Sequence, residues 1–311
     1  MASVRTVLGD VPAADLGVCD AHDHLFFRSA QLAGQELNDA DAAVGELKAF
    51  AALGGQAVVQ WTPFGLGRRP DLLAGVSQAG GVTVIAATGL HQAAHYGDQA
   101  MVRDVLPRLA ELFAEELTVG MRPDPGTAGD ADPLPRAGMI KVAGNFHHLD
   151  AHARQTMIAA AEAHHATGAP IGVHHELGTA AADVAGLLCG QLQVPADKVI
   201  LGHLNRLPDS YLQRQVAETG AFLAFDGPSR ANHATDWRLH ECLAELVRHG
   251  HEDQILIGGD TTTAAARSST GGGPGLPYLL RVLRPRLAGG LGEEVAAKFF
   301  TANPARAFSW A

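Results

Sequence analysis

The chain has 311 residues, a formal net charge of −10 and a hydrophobic content of 47%. This length exceeds that of most domains, but a barrel of alternating strands and helices can run this long, so we expect a single domain over residues 1–311. The apolar residues never form the roughly 18 consecutive positions of a membrane span, and the negative charge opposes binding to phosphate backbones. Membrane and nucleic-acid partners are therefore not expected.

The N-terminal segment and the cysteines indicate a cytoplasmic protein. Residues Met1–Val7 lack the charged and apolar regions of a secretory signal. Cys19, Cys189 and Cys242 are far apart and form no CxxC pair, which favours reduced, buried thiols over a disulfide.

Eight short runs rich in Val, Ile, Ala and Gly recur along the chain and predict parallel strands. They are Gly17–His24, Gln56–Thr62, Val82–Thr88, Gly138–Val142, Pro170–His174, Lys198–His203, Ala221–Asp226 and Gln254–Asp260. Stretches with helical spacing lie between them, namely Asp39–Leu53, Gln99–Leu117, Asp150–Thr167, Thr179–Leu192, Pro208–Thr219 and Asp236–Gly250. This alternation predicts an α/β fold, and eight strands favour a closed (β/α)8 barrel over an open doubly wound sheet.

Two segments interrupt this alternation. Thr118–Ala137 is rich in proline, and Thr261–Pro277 is rich in glycine. Both are interpreted as solvated loops, with a role in bordering or covering the mouth of a site as the alternative.

The first predicted strand ends in two histidines separated by one residue. Side chains two positions apart on a strand point to the same side, so His22 and His24 can bind one metal ion together. The pattern is weak alone, because a chain with 16 histidines contains about one such pair by chance. A second pair, His249 and His251, ends a helix pattern, where exposed histidines are ordinary.

Other potential metal ligands recur at the ends of later strands. His174, His203 and Asp260 each follow an apolar run. The C-terminal strand ends of a barrel form one rim, where the catalytic residues of this fold are found. The sequence therefore predicts a polar site at the mouth of the barrel. His175 directly follows His174 and must point to the opposite face of its strand.

Lys141 stands inside the apolar run Met139–Val142, where an ammonium group is costly to bury. A snorkelling side chain, or a partner for a carboxylate at the rim, would explain it without a function.

Taken in order, these residues resemble the ligand set of the phosphotriesterase-like branch of the amidohydrolase superfamily, which includes lactonases. The resemblance covers nearly the whole chain. The segments that carry it are Val4–Val7, Cys19–Leu25, Phe64–Arg68, Ala86–Gly89, Ile140–Val142, Leu201–His203, Gly258–Asp260 and Asn303–Phe308.

The resemblance implies a two-metal hydrolase. Lys141 would carry a carboxylate derived from CO2 and bridge two divalent ions, and Asp260 would pass a proton from the attacking hydroxide to the leaving group. The implied ligands besides Lys141 are His22, His24 and Asp260 for one ion and His174 and His203 for the other. Zinc is expected first, with manganese, cobalt or iron as alternatives.

The later segments resemble the family members that open sugar lactones, some of them phosphorylated. These segments are Gly202–Asp209, Thr219–Pro228 and Gly271–Tyr278. In the segments that follow the seventh and eighth strands, Ser229–His233 and Asp260–Thr270, the obvious anion partners are Arg230 and Arg267. His91 stands where relatives that accept acyl tails favour aromatic side chains. We expect these three residues to bind substrate.

The predicted activity is hydrolysis of a small, polar, sugar-type lactone. Phosphotriesters and acyl-homoserine lactones are alternative substrates. A barrel that binds a metal or a small molecule without catalysis is an alternative of another class, since a fold does not guarantee chemistry. The resemblance also implies a homodimer.

Overall fold

The computed structural model describes residues 2–97, 100–124, 134–227 and 234–310. A small antiparallel sheet is formed by β1 (Ser3–Thr6), β2 (Gly9–Pro12) and β11 (Ser309–Trp310). The larger sheet has eight parallel strands that pair in chain order. These are β3 (Cys19–Asp23), β4 (Ala57–Gln60), β5 (Thr83–Gly89), β6 (Met139–Ala143), β7 (Ile171–His174), β8 (Val199–Leu201), β9 (Phe222–Asp226) and β10 (Ile255–Gly258).

The larger sheet closes on itself beyond the end of β10. The N–H groups of Gly259 and Asp260 both donate to the carbonyl oxygen of His22, at 2.8 and 2.9 Å. The predicted (β/α)8 barrel is therefore confirmed. All eight predicted strands are present, and their ends lie within two residues of the predicted ones.

Helices connect the strands. They are α1 (Ala40–Ala51), α2 (Pro70–Gly80), α3 (Ala100–Val105), α4 (Leu109–Thr118), α5 (Ala151–Thr167), α6 (Ala181–Ala185), α7 (Ser210–Ala217), α8 (Leu239–Arg248), α9 (Arg284–Leu291), α10 (Glu293–Phe300) and α11 (Ala302–Ala307). The predicted helix Gln99–Leu117 is interrupted by a 3-10 turn at Leu106–Arg108, because Pro107 lacks an N–H and clashes with the preceding turn. Of the helices described, none has the length and apolarity to cross a membrane.

Alternation along the strands decides which side chains enter the barrel. In β9, Phe222 and Ala224 belong to the inner apolar cluster, whereas Leu223 and Phe225 pack under the helices. Asp226 continues the inward series, because strand side chains alternate between faces. The same rule turns Lys141 of β6 and His174 of β7 inwards.

Trp61 fills the barrel interior below the rim. Its fully buried ring stacks on the imidazole of His22, with ring centroids 4.0 Å apart. Its Nε1 donates to the carbonyl oxygen of Ala21 at 2.8 Å. Gly172 makes room for the indole, since a Cβ at this position would lie 2.8 Å from Trp61. Trp61 therefore supports His22 from below.

The two irregular segments are anchored to the barrel where they are described. Thr118–Ala137 lies partly outside the described residues, but its Asp124 accepts hydrogen bonds from the N–H groups of Gly65 and Arg68. In Thr261–Pro277, the carboxylate of Glu46 in α1 accepts hydrogen bonds from the backbone of the segment. Thr262 of this second segment lines the cavity at the mouth of the barrel.

Candidate active site

A cavity of about 240 Å³ opens at the C-terminal ends of the barrel strands. It contains all six side chains that the sequence analysis selected as metal ligands, and they come from the ends of five different strands. The described residues that line it are His22, His24, Phe27, Gln31, Leu32, His91, His95, Lys141, His174, Glu176, His203, Arg206, Asp260 and Thr262.

Three of these side chains form one tight cluster. Nε2 of His22 and Nε2 of His24 lie 3.6 and 3.5 Å from the same carboxylate oxygen of Asp260. One potential ligand atom from each of the three residues lies within 4.8 Å of the others. Since all three are nearly fully buried, the cluster is shielded from solvent.

The remaining ligand candidates lie beside this cluster. The rings of His174 and His203 are 4.4 Å apart, and that of His203 is 4.8 Å from His22. His203 and Asp260 both have positive φ angles, 62° and 51°, in a region that non-glycine residues seldom adopt. Each lies two residues past the end of its strand, and this sharp change of direction turns the side chain towards the cavity.

Hydrogen bonds fix the histidine rings at their Nδ1 atoms. Nδ1 of His22 and Nδ1 of His203 both contact the carboxylate of Asp226, at 2.9 and 2.5 Å. Nδ1 of His24 contacts Oγ1 of Thr62 at 2.7 Å, and that hydroxyl donates to the carbonyl oxygen of Phe26. Because the hydroxyl proton is already used, Thr62 accepts from His24.

Burial keeps three histidines of the cavity, His24, His174 and His203, in the neutral form. It lowers the pKa of His24 to about 4 and that of His174 to about 3, and it holds the pKa of His203 well below the ordinary value. Glu176 lies 3.2 Å from Nε2 of His174 and partly opposes the shift there. Neutral imidazole is the form that binds metal ions.

Lys141 is 2% exposed. Burial and the charge of Arg206 lower the pKa of its amine to about 7, against the opposing influence of Asp260. Among the described residues, no carboxylate forms an ion pair with its Nζ. The amine therefore loses its proton far more readily than an exposed lysine.

Arg206 forms an ion pair with Asp260 inside the cavity. Burial would raise the pKa of Asp260, but Arg206 and His203 lower it below its usual range. Asp260 is thus an ionised carboxylate at neutral pH.

The three residues expected to bind substrate have different positions. His91 lines the cavity, and its ring centroid lies 4.6 Å from that of His174. Arg267 does not line the cavity, since its guanidinium is buried and donates to the carbonyl oxygens of His24 and Leu25. Arg230 lies outside the described residues.

Four contributors to the site were missed in the sequence. Arg206 and Glu176 lie on short 3-10 turns directly after β8 and β7, so their position just past a strand end was an available signal. His95 lies on a similar turn after β5. Asp226 was included in a predicted strand, but its inward direction becomes clear only when the side chains of β9 are assigned alternately to the two faces of the sheet.

A model of the phosphotriesterase family matches residues 2–308 of the chain. A phospho-furanose lactonase from Mycoplasmopsis synoviae is 32% identical over 81% of this chain and 74% of the relative. A phosphotriesterase homology protein from Mycobacterium tuberculosis is 28% identical over 84% of this chain and 81% of the relative. The structure of a lactonase from Listeria monocytogenes superposes with a TM-score of 0.90, at 30% identity over 99% of both chains.

The fold and these matches define a barrel hydrolase. The chain belongs to the phosphotriesterase family, which confirms the family expected from the sequence.

Proposed function

We propose that the protein is a metal-dependent lactonase that opens small, polar, sugar-type lactones. The observation that carries this proposal is the convergence of His22, His24, Asp260, His174 and His203 with Lys141 in one cavity. The names of the lactonase relatives supply the substrate class.

The donor set fits divalent ions. Nε2 of His22 is buried and has no hydrogen-bond partner among the described residues, which is costly unless an ion binds it. The separations of 3.5 and 3.6 Å between the histidines and Asp260 exceed normal hydrogen bonds. They are close to the roughly 3.3 Å between ligand atoms in a tetrahedral site with bonds of about 2.0–2.1 Å.

We assign His22, His24 and Asp260 to one ion and His174 and His203 to the other. Nitrogen and oxygen donors suit zinc first, and manganese, cobalt or iron as alternatives. Divalent ions held there would polarise the lactone carbonyl and lower the pKa of water.

Lys141 is proposed to carry a carboxylate derived from CO2 and to bridge the two ions. The unprotonated amine adds to CO2 and releases one proton, so a pKa of about 7 favours the reaction. The product is an anion, which suits a buried position beside cations better than an ammonium group does. Incubation with 13C-bicarbonate should give a carbamate NMR signal that is absent from Lys141→Met.

Asp260 is proposed to move the proton during hydrolysis. Its ionised carboxylate faces the cavity and can take a proton from the attacking water. As the acyl C–O bond of the ring breaks, the same proton passes to the departing ring oxygen. One water is thereby added across the ester bond, and the product is a hydroxy acid.

His91 is proposed to orient the substrate. Its Nδ1 accepts a hydrogen bond from the N–H of Gln92 at 2.8 Å, so Nε2 carries the proton of the neutral ring. Burial and Lys141 hold the pKa of His91 well below its ordinary value, which keeps the ring neutral. A ring N–H in the wall of the cavity can donate to a substrate oxygen.

The cavity supports a compact, hydroxylated substrate. Its volume of about 240 Å³ lies below the roughly 300–1,000 Å³ of drug-sized pockets. Besides the ligand candidates, Gln31, Glu176 and Thr262 offer polar atoms, while Phe27 and Leu32 are the apolar part of the lining.

A substrate panel tests the proposal. The zinc-loaded protein should hydrolyse sugar lactones faster than acyl-homoserine lactones or phosphotriesters. Equal trace rates on every lactone would remove the sugar preference, and faster phosphotriester hydrolysis would favour the alternative substrate. A complete lack of turnover with bound metal would indicate a non-catalytic binding barrel.

Replacing the proposed proton carrier tests the mechanism. Asp260→Asn should abolish turnover, because an amide cannot accept the proton. The exposed carboxylate Glu111 provides a control, and Glu111→Gln should keep the full rate. Turnover by Asp260→Asn near the native rate would show that another group accepts the proton. The homodimer is likewise a proposal, which sedimentation analysis would test.

A further inference from the structure

Asp226 lies inside the barrel between two proposed metal ligands. Its carboxylate is fully buried, and each oxygen faces a different imidazole. Oδ1 lies 2.9 Å from Nδ1 of His22, and Oδ2 lies 2.5 Å from Nδ1 of His203. These histidines are far apart in the chain and are assigned to different ions, so one carboxylate connects the two proposed sites.

These contacts determine where the ring protons are. A carboxylate can only accept hydrogen bonds, so Nδ1 of both rings must be the donor. A neutral imidazole has a single N–H, which leaves Nε2 with a free lone pair on His22 and on His203. For His22 this atom is buried and unpartnered among the described residues.

The geometry argues against Asp226 as a metal ligand itself. Together with His22 and His203 it forms a second cluster of potential ligand atoms. Its separations from them, 2.9 and 2.5 Å, are hydrogen-bond lengths. An ion between these atoms would hold them roughly 3.3 Å apart, given bonds of about 2.0–2.1 Å.

Asn205 fixes the backbone of Asp226. Its Oδ1 accepts from the N–H of Asp226 at 3.0 Å, and its Nδ2 donates to the carbonyl oxygen of Asp226 at 3.1 Å. Asn205 follows His203 by two residues. The turn after β8 therefore carries both His203 and the side chain that fixes the backbone of Asp226.

From these contacts we infer that Asp226 is a positioning residue that sets the tautomer of His22 and His203 together, so that both Nε2 atoms are available to the ions. The inference rests on the proposed function for the role of the ions. The tautomers themselves are a property of the metal-free chain.

The substitution Asp226→Asn keeps the shape of the side chain but changes its hydrogen-bonding groups. In Asp226→Asn only one of the two terminal atoms accepts a hydrogen bond, and the other is an NH2 donor. The imidazole that faces the NH2 group must accept through Nδ1, so its proton moves to Nε2. One of the two rings therefore loses its metal-binding lone pair, whichever way the amide is oriented.

NMR of the metal-free protein tests this directly. Two-bond 15N–1H spectra of the imidazoles should show Nδ1–H tautomers for His22 and His203 in the native protein. Asp226→Asn should convert one of them to the Nε2–H tautomer. His24 is an internal control that should not change, because Thr62 holds it.

Zinc binding gives the second readout. By competition with a chelator, Asp226→Asn should bind at least one ion about 10–100-fold more weakly than the native protein. Asp124→Asn is a matched control, because Asp124 is also buried and both of its oxygens accept hydrogen bonds from backbone N–H groups, away from the proposed ligands. Asp124→Asn should keep the native tautomers and zinc affinity.

Three results would overturn the inference. The first is an Nε2–H tautomer of His22 or His203 in the native protein. The second is that both rings keep their native tautomers in Asp226→Asn. The third is that this variant binds two ions with native affinity. If Asp226→Asn does not fold, the native spectrum decides alone. Failure of the native protein to bind zinc would instead contradict the proposed function, while the tautomers would still decide the role of Asp226.

Discussion

The guanidinium of Arg206 and the carboxylate of Asp260 form an ion pair inside the cavity. Their side chains are only 9% and 3% exposed, so solvent screens the pair weakly. Arg206 therefore helps to keep Asp260 ionised.

Arg206→Gln should impair the proton transfer proposed for Asp260. Without the guanidinium, the pKa of Asp260 rises, so the acid side of the profile of kcat/KM against pH should move to higher pH. We expect the loss of rate to be largest at the acid end of the profile and to shrink towards neutral pH, where the carboxylate stays ionised. Steady-state rates on a sugar lactone between pH 5 and 8 measure both effects.

Arg69 provides the matched control for this prediction, since it forms a more exposed pair with Asp71. Arg69→Gln should keep the native profile. An unshifted profile in Arg206→Gln would show that Arg206 does not control the protonation of Asp260.

Gly172→Ala should disturb the support of His22. The added methyl group would lie 2.4 Å from the side chain of Met139 and 2.8 Å from Trp61. Overpacking of this kind costs about 1–3 kcal/mol. Displacement of Trp61 should also displace the imidazole stacked on it, so zinc affinity should fall. Chemical denaturation and chelator competition measure the two effects.

Gly186 provides the control for Gly172→Ala, because a Cβ at Gly186 would meet no atom within 4 Å. Gly186→Ala lies in a helical segment and should leave stability unchanged or raise it by up to about 1 kcal/mol. Equal stability for the two alanine variants would show that Trp61 is not closely packed against Gly172 in the barrel interior.

The sequence predicts the strands and the convergence of the proposed ligands at the rim, because both follow from local rules. An apolar run followed by His or Asp identifies a strand end, and parallel strands carry those ends to one rim. Lys141 is conspicuous because a charged group interrupts an apolar run. No three-dimensional information is needed for these inferences.

Other features depend on contacts that no local pattern contains. Arg267 follows a strand that ends at the rim, as an anion-binding residue would, but its guanidinium is occupied by two backbone carbonyl groups. Asp226 connects two imidazoles from distant strands, and this bridge exists only once the barrel closes. A sequence shows which charges are present but not which partners they have.

Glu116→Gln should destabilise the fold strongly. Glu116 is fully buried and forms two hydrogen bonds with the guanidinium of Arg68, at 2.8 and 2.5 Å, and one with Thr88. Removing its charge leaves Arg68 less compensated in the interior, which costs about 3 kcal/mol or more. The exposed pair of Glu111 and Arg108 is the comparison, and Glu111→Gln should change the free energy of unfolding by less than about 1 kcal/mol. Similar losses in both variants would contradict the structural role of the buried pair.

The metal-free protein should lose stability as the pH falls from about 6.5 to about 4. Burial lowers the pKa of His24, His95 and His175 to about 4, whereas an unfolded histidine has a pKa of about 6.5. Below pH 6.5 the unfolded chain therefore binds more protons than the folded chain, and the free energy of unfolding decreases. Asp20 and Asp23 act in the opposite direction, since burial raises the pKa of both carboxyl groups, that of Asp23 to about 6, so the folded chain holds protons there that the unfolded chain lacks.

The pKa values of His91, His174 and His203 are lowered as well, so the buried histidines outnumber the two carboxyl groups. The net effect should be a loss of about 3 kcal/mol or more between pH 7.5 and 5, at about 1.4 kcal/mol per unit of pKa shift. Urea denaturation in the presence of a chelator measures it. His175 bonds to the carbonyl oxygen of Thr179 and does not line the cavity, so His175→Gln should reduce the pH dependence without removing a proposed ligand. Replacement of the exposed His148 by glutamine should leave the dependence unchanged. Constant stability across this range would show that the folded chain takes up as many protons as the unfolded chain, which would contradict the lowered pKa values of the buried histidines.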